Sequence, residues 1–79
     1  MTWKEEVGLR LARLRTKAGL TRPELSKLIR YSEASIWTWE TGRTAMSIDT
    51  LRAYCRVFKT TSDYILFGLT KGERNVKTL

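Results

Sequence analysis

Few side chains in this 79-residue sequence could do covalent chemistry, and what is missing narrows the field quickly. There is no histidine, and Cys55 is the only thiol. A Cys/His zinc site, a disulfide framework and a Ser-His-Asp or Cys-His nucleophile pair therefore cannot be assembled within one chain. No enzyme activity, metal, cofactor or small-molecule ligand is expected. Cys55 lies on an apolar helical stripe, where a small core residue is the ordinary role and a reactive thiol the alternative. What remains is recognition chemistry: hydroxyls, guanidinium groups, acids and tryptophans gathered between Arg22 and Thr44.

The densest run is Ser32 to Thr44. In a helix that starts after Ser32 and turns Ile36 and Trp39 inward, the outward residues are Glu33, Ala34, Trp37, Thr38 and Thr41. Glu33 has a plain alternative role, as a first-turn acid that favours the positive end of the helix. Trp37 is the oddity. A large apolar side chain facing outward from a short helix needs something to cover it. That cover is either sugar, phosphate and thymine methyls, with the indole N–H donating to a phosphate, or a neighbouring helix or second chain.

Charge is consistent with the first possibility. The formal net charge is +7, of which +5 lies in residues 1–68 and +2 in residues 69–79. An excess of this size suits a polyanionic partner, most often nucleic acid; solubility is the other reading. The longest apolar run, Tyr64 to Phe67, falls far short of the roughly 20 residues needed to span a bilayer. The amino terminus lacks the apolar segment of a secretory signal. A cytoplasmic, reducing setting is expected, with no membrane partner.

These residues need elements to position them, and the apolar spacing gives only helices: steps of three and four recur, without sustained alternation. Val7, Leu11, Leu14 and Ala18 form one stripe of a helix over 4–18, and Gly19 suits the left-handed position beyond it. Thr21-Arg22-Pro23-Glu24 is a capping box with proline in the first turn, opening a helix over 22–29 on Leu25 and Ile29. Ser32 caps a helix to Glu40, and Ser47 caps one over 48–58 with Leu51, Tyr54, Cys55 and Phe58 inward. Thr61 caps a last helix over 62–67, ended by Gly68. Arg10, Arg13, Arg15 and Lys17 surround the stripe of the first helix, and most of them read as solvated. Residues 69–79 read as a tail, flexible or ordered by a partner.

Two short helices joined at Arg30-Tyr31 make a helix-turn-helix, in which one helix braces and the other enters the major groove. The run Gly19-Leu20-Thr21, Glu24-Leu25, Ser32, Ser35-Ile36, Trp39-Glu40, Gly42-Arg43, then Ser47, Leu51 and Ser62-Asp63-Tyr64-Ile65-Leu66 resembles the phage repressor and Cro-type (XRE-like) family over residues 7–68. The resemblance implies an all-α, compact five-helix lambda-repressor-like DNA-binding domain at 1–68. It also implies a sequence-specific transcriptional regulator that binds a near-palindromic double-stranded operator as a homodimer.

Site roles follow from the same resemblance. Positions matching Glu33, Ala34 and Thr38 face base edges, where an acid accepts from a cytosine amino group and alanine or threonine touches a thymine methyl; Trp37 is placed with them. Arg22, Ser32, Ser35, Thr41, Arg43 and Thr44 are placed on phosphates, with weaker claims for Lys27 and Arg30. Arg15 and Glu40 match a pair that bridges the first and third helices. Ile65, Leu66, Phe67 and Leu69 form the expected dimer surface, though some of them could complete the core instead.

The sequence also departs from the family pattern. Arg30 and Lys59 stand where glycine is common, so each must turn left-handed or reshape its turn. Met46 replaces a frequent proline, and Leu9 and Leu28 stand where polar residues are usual. The rival reading is a protein-interaction module on the same fold, with a toxin or antirepressor as partner. Trp37, Leu9 and Leu28 would then be its contact residues.

Overall fold

Every helix begins on a hydroxyl. In the computed structural model, which describes residues 1–70, the helices are α1 (Trp3–Lys17), α2 (Arg22–Ile29), α3 (Glu33–Glu40), α4 (Ile48–Phe58) and α5 (Ser62–Phe67). Thr2, Thr21, Ser32, Ser47 and Thr61 each accept a hydrogen bond from the backbone N–H three residues on, at 3.1–3.2 Å. A cap of this kind contributes about 1 kcal/mol. For elements this short, where intrinsic helix stability is marginal, that contribution decides where each helix starts. Among the described residues there is no strand, and no helix is long and apolar enough to cross a membrane.

The bounds of α2, α3, α4 and α5 are those read from the sequence. The first helix differs by one residue at each end. Thr2-Trp3-Lys4-Glu5 is a second capping box, with the Glu5 carboxylate accepting from the Thr2 N–H at 2.8 Å, so the helix starts at Trp3. Ala18 is its exposed C-cap, not a member of the inward stripe. Gly19 takes the left-handed conformation beyond it (φ 75°). Arg30 and Lys59 do so as well (φ 64° and 51°), so both turns keep the shape usually given to glycine at a conformational cost.

The core is built from Val7, Leu11, Leu25, Ile29, Ile36, Trp39, Leu51, Ala53, Tyr54 and Ile65. Each large aliphatic buried here is worth about 1.5–3 kcal/mol of transfer free energy. A run of aromatic contacts crosses it, Tyr31 to Trp39 to Tyr54 to Phe58, with ring centres 5.3, 6.3 and 5.8 Å apart. α1 packs on α3 and α5, α2 on α3 and α4, and α4 on α5. Cys55 is half-buried and burial pushes its thiol up, away from the reactive thiolate.

Burial overturns one sequence expectation and singles out one of the α1 cations. Ile65 is fully enclosed in the core and cannot belong to a dimer surface, because α5 is pressed inward along that side. Arg10 is not solvated: its Nη1 donates to the Ile65 carbonyl at 3.0 Å and its Nη2 lies 3.6 Å from Glu6, fixing α1 to α5. Thr50 and Ala53, absent from the inward set expected for α4, are buried. The tail expectation from residue 71 onward lies outside the described residues.

Candidate nucleic-acid interface

α2 and α3 are joined by a turn with its own lock. Arg30 ends α2 with its N–H on the Ser26 carbonyl at 2.9 Å. The Ser26 hydroxyl donates to the Tyr31 carbonyl at 2.6 Å, so one α2 residue holds both sides of the turn. Ser32 then caps α3, and its hydroxyl donates to Ser35 Oγ at 3.0 Å.

The inner side of α3 is anchored in two ways. Gly8 of α1 lies so close that a Cβ there would stand 2.5 Å from the Glu40 carbonyl oxygen and 2.6 Å from that of Trp39. Nothing larger than glycine fits without moving a helix. The second anchor is Glu40, whose carboxylate is buried. Arg15 reaches it with Nε at 2.7 Å and Nη2 at 3.0 Å, and Arg22 adds Nε at 3.0 Å. Arg15 also donates Nη1 to the Leu20 carbonyl at 3.0 Å, tying in the segment between α1 and α2. Its hydrogen bonds to Glu40, opposed by burial, raise its already high pKa.

The resemblance gives the Arg22 position a prop for α3 as well as a phosphate contact, and the bond to Glu40 is such a prop. One of its donors is committed to Glu40, while 37% of the side chain stays exposed. It props α3 and still presents charge beside it. The Tyr54 hydroxyl is buried nearby, with no hydrogen-bond partner among the described residues. Burial first, and then the negative charge of Glu40, push this phenol well above its usual range.

The outer side of α3 is open. Glu33 and Ala34 are exposed in its first turn, and Trp37 is 40% exposed one turn later. Thr38 is half-buried, and its hydroxyl donates to the Ser35 carbonyl at 2.7 Å. Thr41 likewise donates to the Trp37 carbonyl at 2.7 Å. The loop after α3 folds back on the helix. The N–H groups of Arg43 and Thr44 donate to the Thr38 carbonyl at 2.9 and 3.4 Å, and Thr44 Oγ1 donates to Thr38 Oγ1 at 3.2 Å. Arg43 then lies over the Trp37 ring, its guanidinium carbon 4.8 Å from the ring centre.

The geometry thus brings together Glu33, Ala34, Trp37, Thr38 and the 41–44 loop on one side of α3, flanked by Arg22. Residues 6–64 match the family described as a helix-turn-helix domain. The chain belongs to that family. No curated protein and no solved structure matches it. As a helix-turn-helix domain it is a DNA-binding type of unit, with DNA as its partner, and the family is typically non-enzymatic.

Of the proposed dimer residues, Phe67 is 67% exposed and Leu66 and Leu69 are half-buried. Leu66 and Phe67 line a surface depression with Trp3 and Glu6. Leu9 and Leu28 are exposed. Two features of the helix-turn-helix domain escaped the sequence reading. The Gly8 contact left no local signature beyond a glycine inside a helical pattern, and the Trp37–Arg43 stack joins positions that no helical period relates.

Proposed function

We propose that the protein is a sequence-specific transcriptional regulator of the phage repressor or Cro type, acting as a homodimer on a near-palindromic operator. The helix-turn-helix match makes DNA the partner, and the division of α3 into a locked inner side and an open outer side carries the finer reading. Ile36, Trp39 and Glu40 are buried, whereas Glu33, Ala34 and Trp37 are exposed on a helix of eight residues. A helix held this firmly by the rest of the fold can enter a groove about 12 Å wide without losing its orientation.

In this reading Glu33, Ala34, Trp37 and Thr38 face bases, and Arg22, Ser32, Ser35, Thr41, Arg43 and Thr44 face phosphates. One short helix reads only a few base pairs. Two related half-sites about 10 bp apart supply the rest of the specificity, which calls for a second copy. Exposed Phe67, with Leu66 and Leu69 beside it, supports a dimer contact at the end of α5. Operator occupancy would block or redirect RNA polymerase.

Selection of bound sequences from a random duplex pool, followed by titration of the winner, tests this. The expected outcome is a two-fold-related site and tight binding. With five or six phosphates neutralised per dimer, log K should fall against log salt with a slope near −5. Equal, weak binding to every duplex would replace this reading with the protein-interaction module, for which exposed Leu9 and Leu28 would be the contacts.

A further inference from the structure

We infer that Trp37 and Arg43 form one guanine-reading unit, in which the indole positions the guanidinium and the guanidinium reads the base. This rests on the DNA-binding function proposed above, and it moves Arg43 from the phosphates to a base edge. Three observations carry it.

The first is the stack. The Arg43 guanidinium lies over the Trp37 ring, its carbon 4.8 Å from the ring centre, a cation–π contact, and guanidinium groups favour stacking flat on aromatic faces. A guanidinium held by its face keeps its N–H donors pointing outward in its own plane. Two of them can then bond in parallel to O6 and N7 of guanine in the major groove.

The second is the path of the loop. Arg43 and Thr44 both donate backbone N–H to the Thr38 carbonyl, at 2.9 and 3.4 Å. The Thr44 hydroxyl adds a bond to the Thr38 hydroxyl at 3.2 Å. These bonds return the chain along the last turn of α3 instead of releasing it outward. Arg43 is thereby brought over Trp37, at the end of the exposed row that begins with Glu33 and Ala34, whereas a phosphate clamp needs only to stand at the rim of the groove.

The third is a shortage of donors on α3 itself. Glu33 can only accept, and Ala34 has no polar side-chain atom. The Thr38 and Thr41 hydroxyls donate to the Ser35 and Trp37 carbonyls, each at 2.7 Å. The Ser35 hydroxyl and the indole N–H of Trp37 are single donors, and neither can make a two-bond contact to guanine. Arg43 supplies the missing pair.

The test repeats the random-pool selection with the whole chain and its R43K, R43A and W37L variants, each first shown by circular dichroism to be folded. The wild-type protein is expected to select a site with one fixed guanine in each half. R43K keeps the charge and therefore the salt slope, but its preference for that guanine should fall roughly tenfold or more. W37L should lose preference at the same base pair and keep it elsewhere.

Different outcomes separate this unit from the reading beneath it. If R43A weakens binding to all sequences alike and lowers the salt slope by about one per subunit, Arg43 is a phosphate clamp and the inference fails. It also fails if R43K selects the wild-type site, or if W37L and R43A affect different base pairs. A wild-type protein that selects no sequence at all overturns the DNA reading itself, and this inference with it.

Discussion

Arg15 grips both carboxylate oxygens of Glu40, whereas Arg22 reaches only one of them. Glu40 is buried, so removing its main partner leaves its carboxylate with one remaining contact, from the partly exposed Arg22. R15A is expected to lower stability by about 3–5 kcal/mol. R22A should cost clearly less, because its side chain is partly exposed and Arg15 remains on both oxygens. Thermal melts of the two variants rank them, and equal losses would show that Arg15 is not the principal anchor of α3.

At Gly8 local propensity and tertiary packing predict opposite signs. A glycine-to-alanine change inside a helix ordinarily gains up to about 1 kcal/mol. Here the added methyl would meet the Glu40 and Trp39 carbonyl oxygens at 2.5 and 2.6 Å, so two helices must part. Overpacking of this kind costs about 1–3 kcal/mol, and G8A is expected to be less stable than the wild type. A urea midpoint that rises on substitution would refute the close approach.

That contrast marks how much could be read from the residues alone. Four helices have the expected bounds because capping is local: Thr21, Ser32, Ser47 and Thr61 each announce a start within three residues. Thr2 announces one in the same way, through the same T-x-x-E pattern as Thr21, one residue ahead of the start that the apolar spacing gives. The outward row of α3 was legible from the inward spacing of Ile36 and Trp39. The Arg10 bond to the Ile65 carbonyl, the Gly8 contact and the Arg43 stack were not, because each depends on which elements meet in space. Ile65 shows the same limit, since an apolar residue at the end of a short helix looks alike whether it faces a partner or the core.

Acid should weaken the fold through the two capping boxes. Backbone and side-chain hydrogen bonds from Thr2 and Thr21 hold the Glu5 and Glu24 carboxyls below the usual carboxylate range. A carboxyl whose pKa is lower folded than unfolded stabilises the native state above its unfolded value. That contribution disappears as pH falls through the folded value. Melting temperature should therefore drop between about pH 5 and pH 3. The E5Q/E24Q double variant, which retains the capping geometry without the charge, should show a shallower drop; an unchanged slope would assign the acid sensitivity elsewhere.

The Tyr54 hydroxyl is buried without a hydrogen-bond partner among the described residues. Enclosing such a group costs about 1–3 kcal/mol relative to an apolar atom. Y54F keeps the ring contacts with Trp39 and Phe58 and removes the oxygen. It is expected to raise stability by about 1 kcal/mol, which in a domain this small is a gain of several degrees in melting temperature. A fall would mean that the hydroxyl has a partner in solution.

The contact between Gly8 and the end of α3 also bears on how such a protein can change its preferences over time. α1 presses backbone against backbone there, with no side chain between to absorb a shift. Any replacement that alters how α1 lies must be passed on as a tilt of α3. On the proposed reading, the choice of DNA sequence can therefore drift through substitutions on the far side of the molecule, while every residue of the contact surface stays the same.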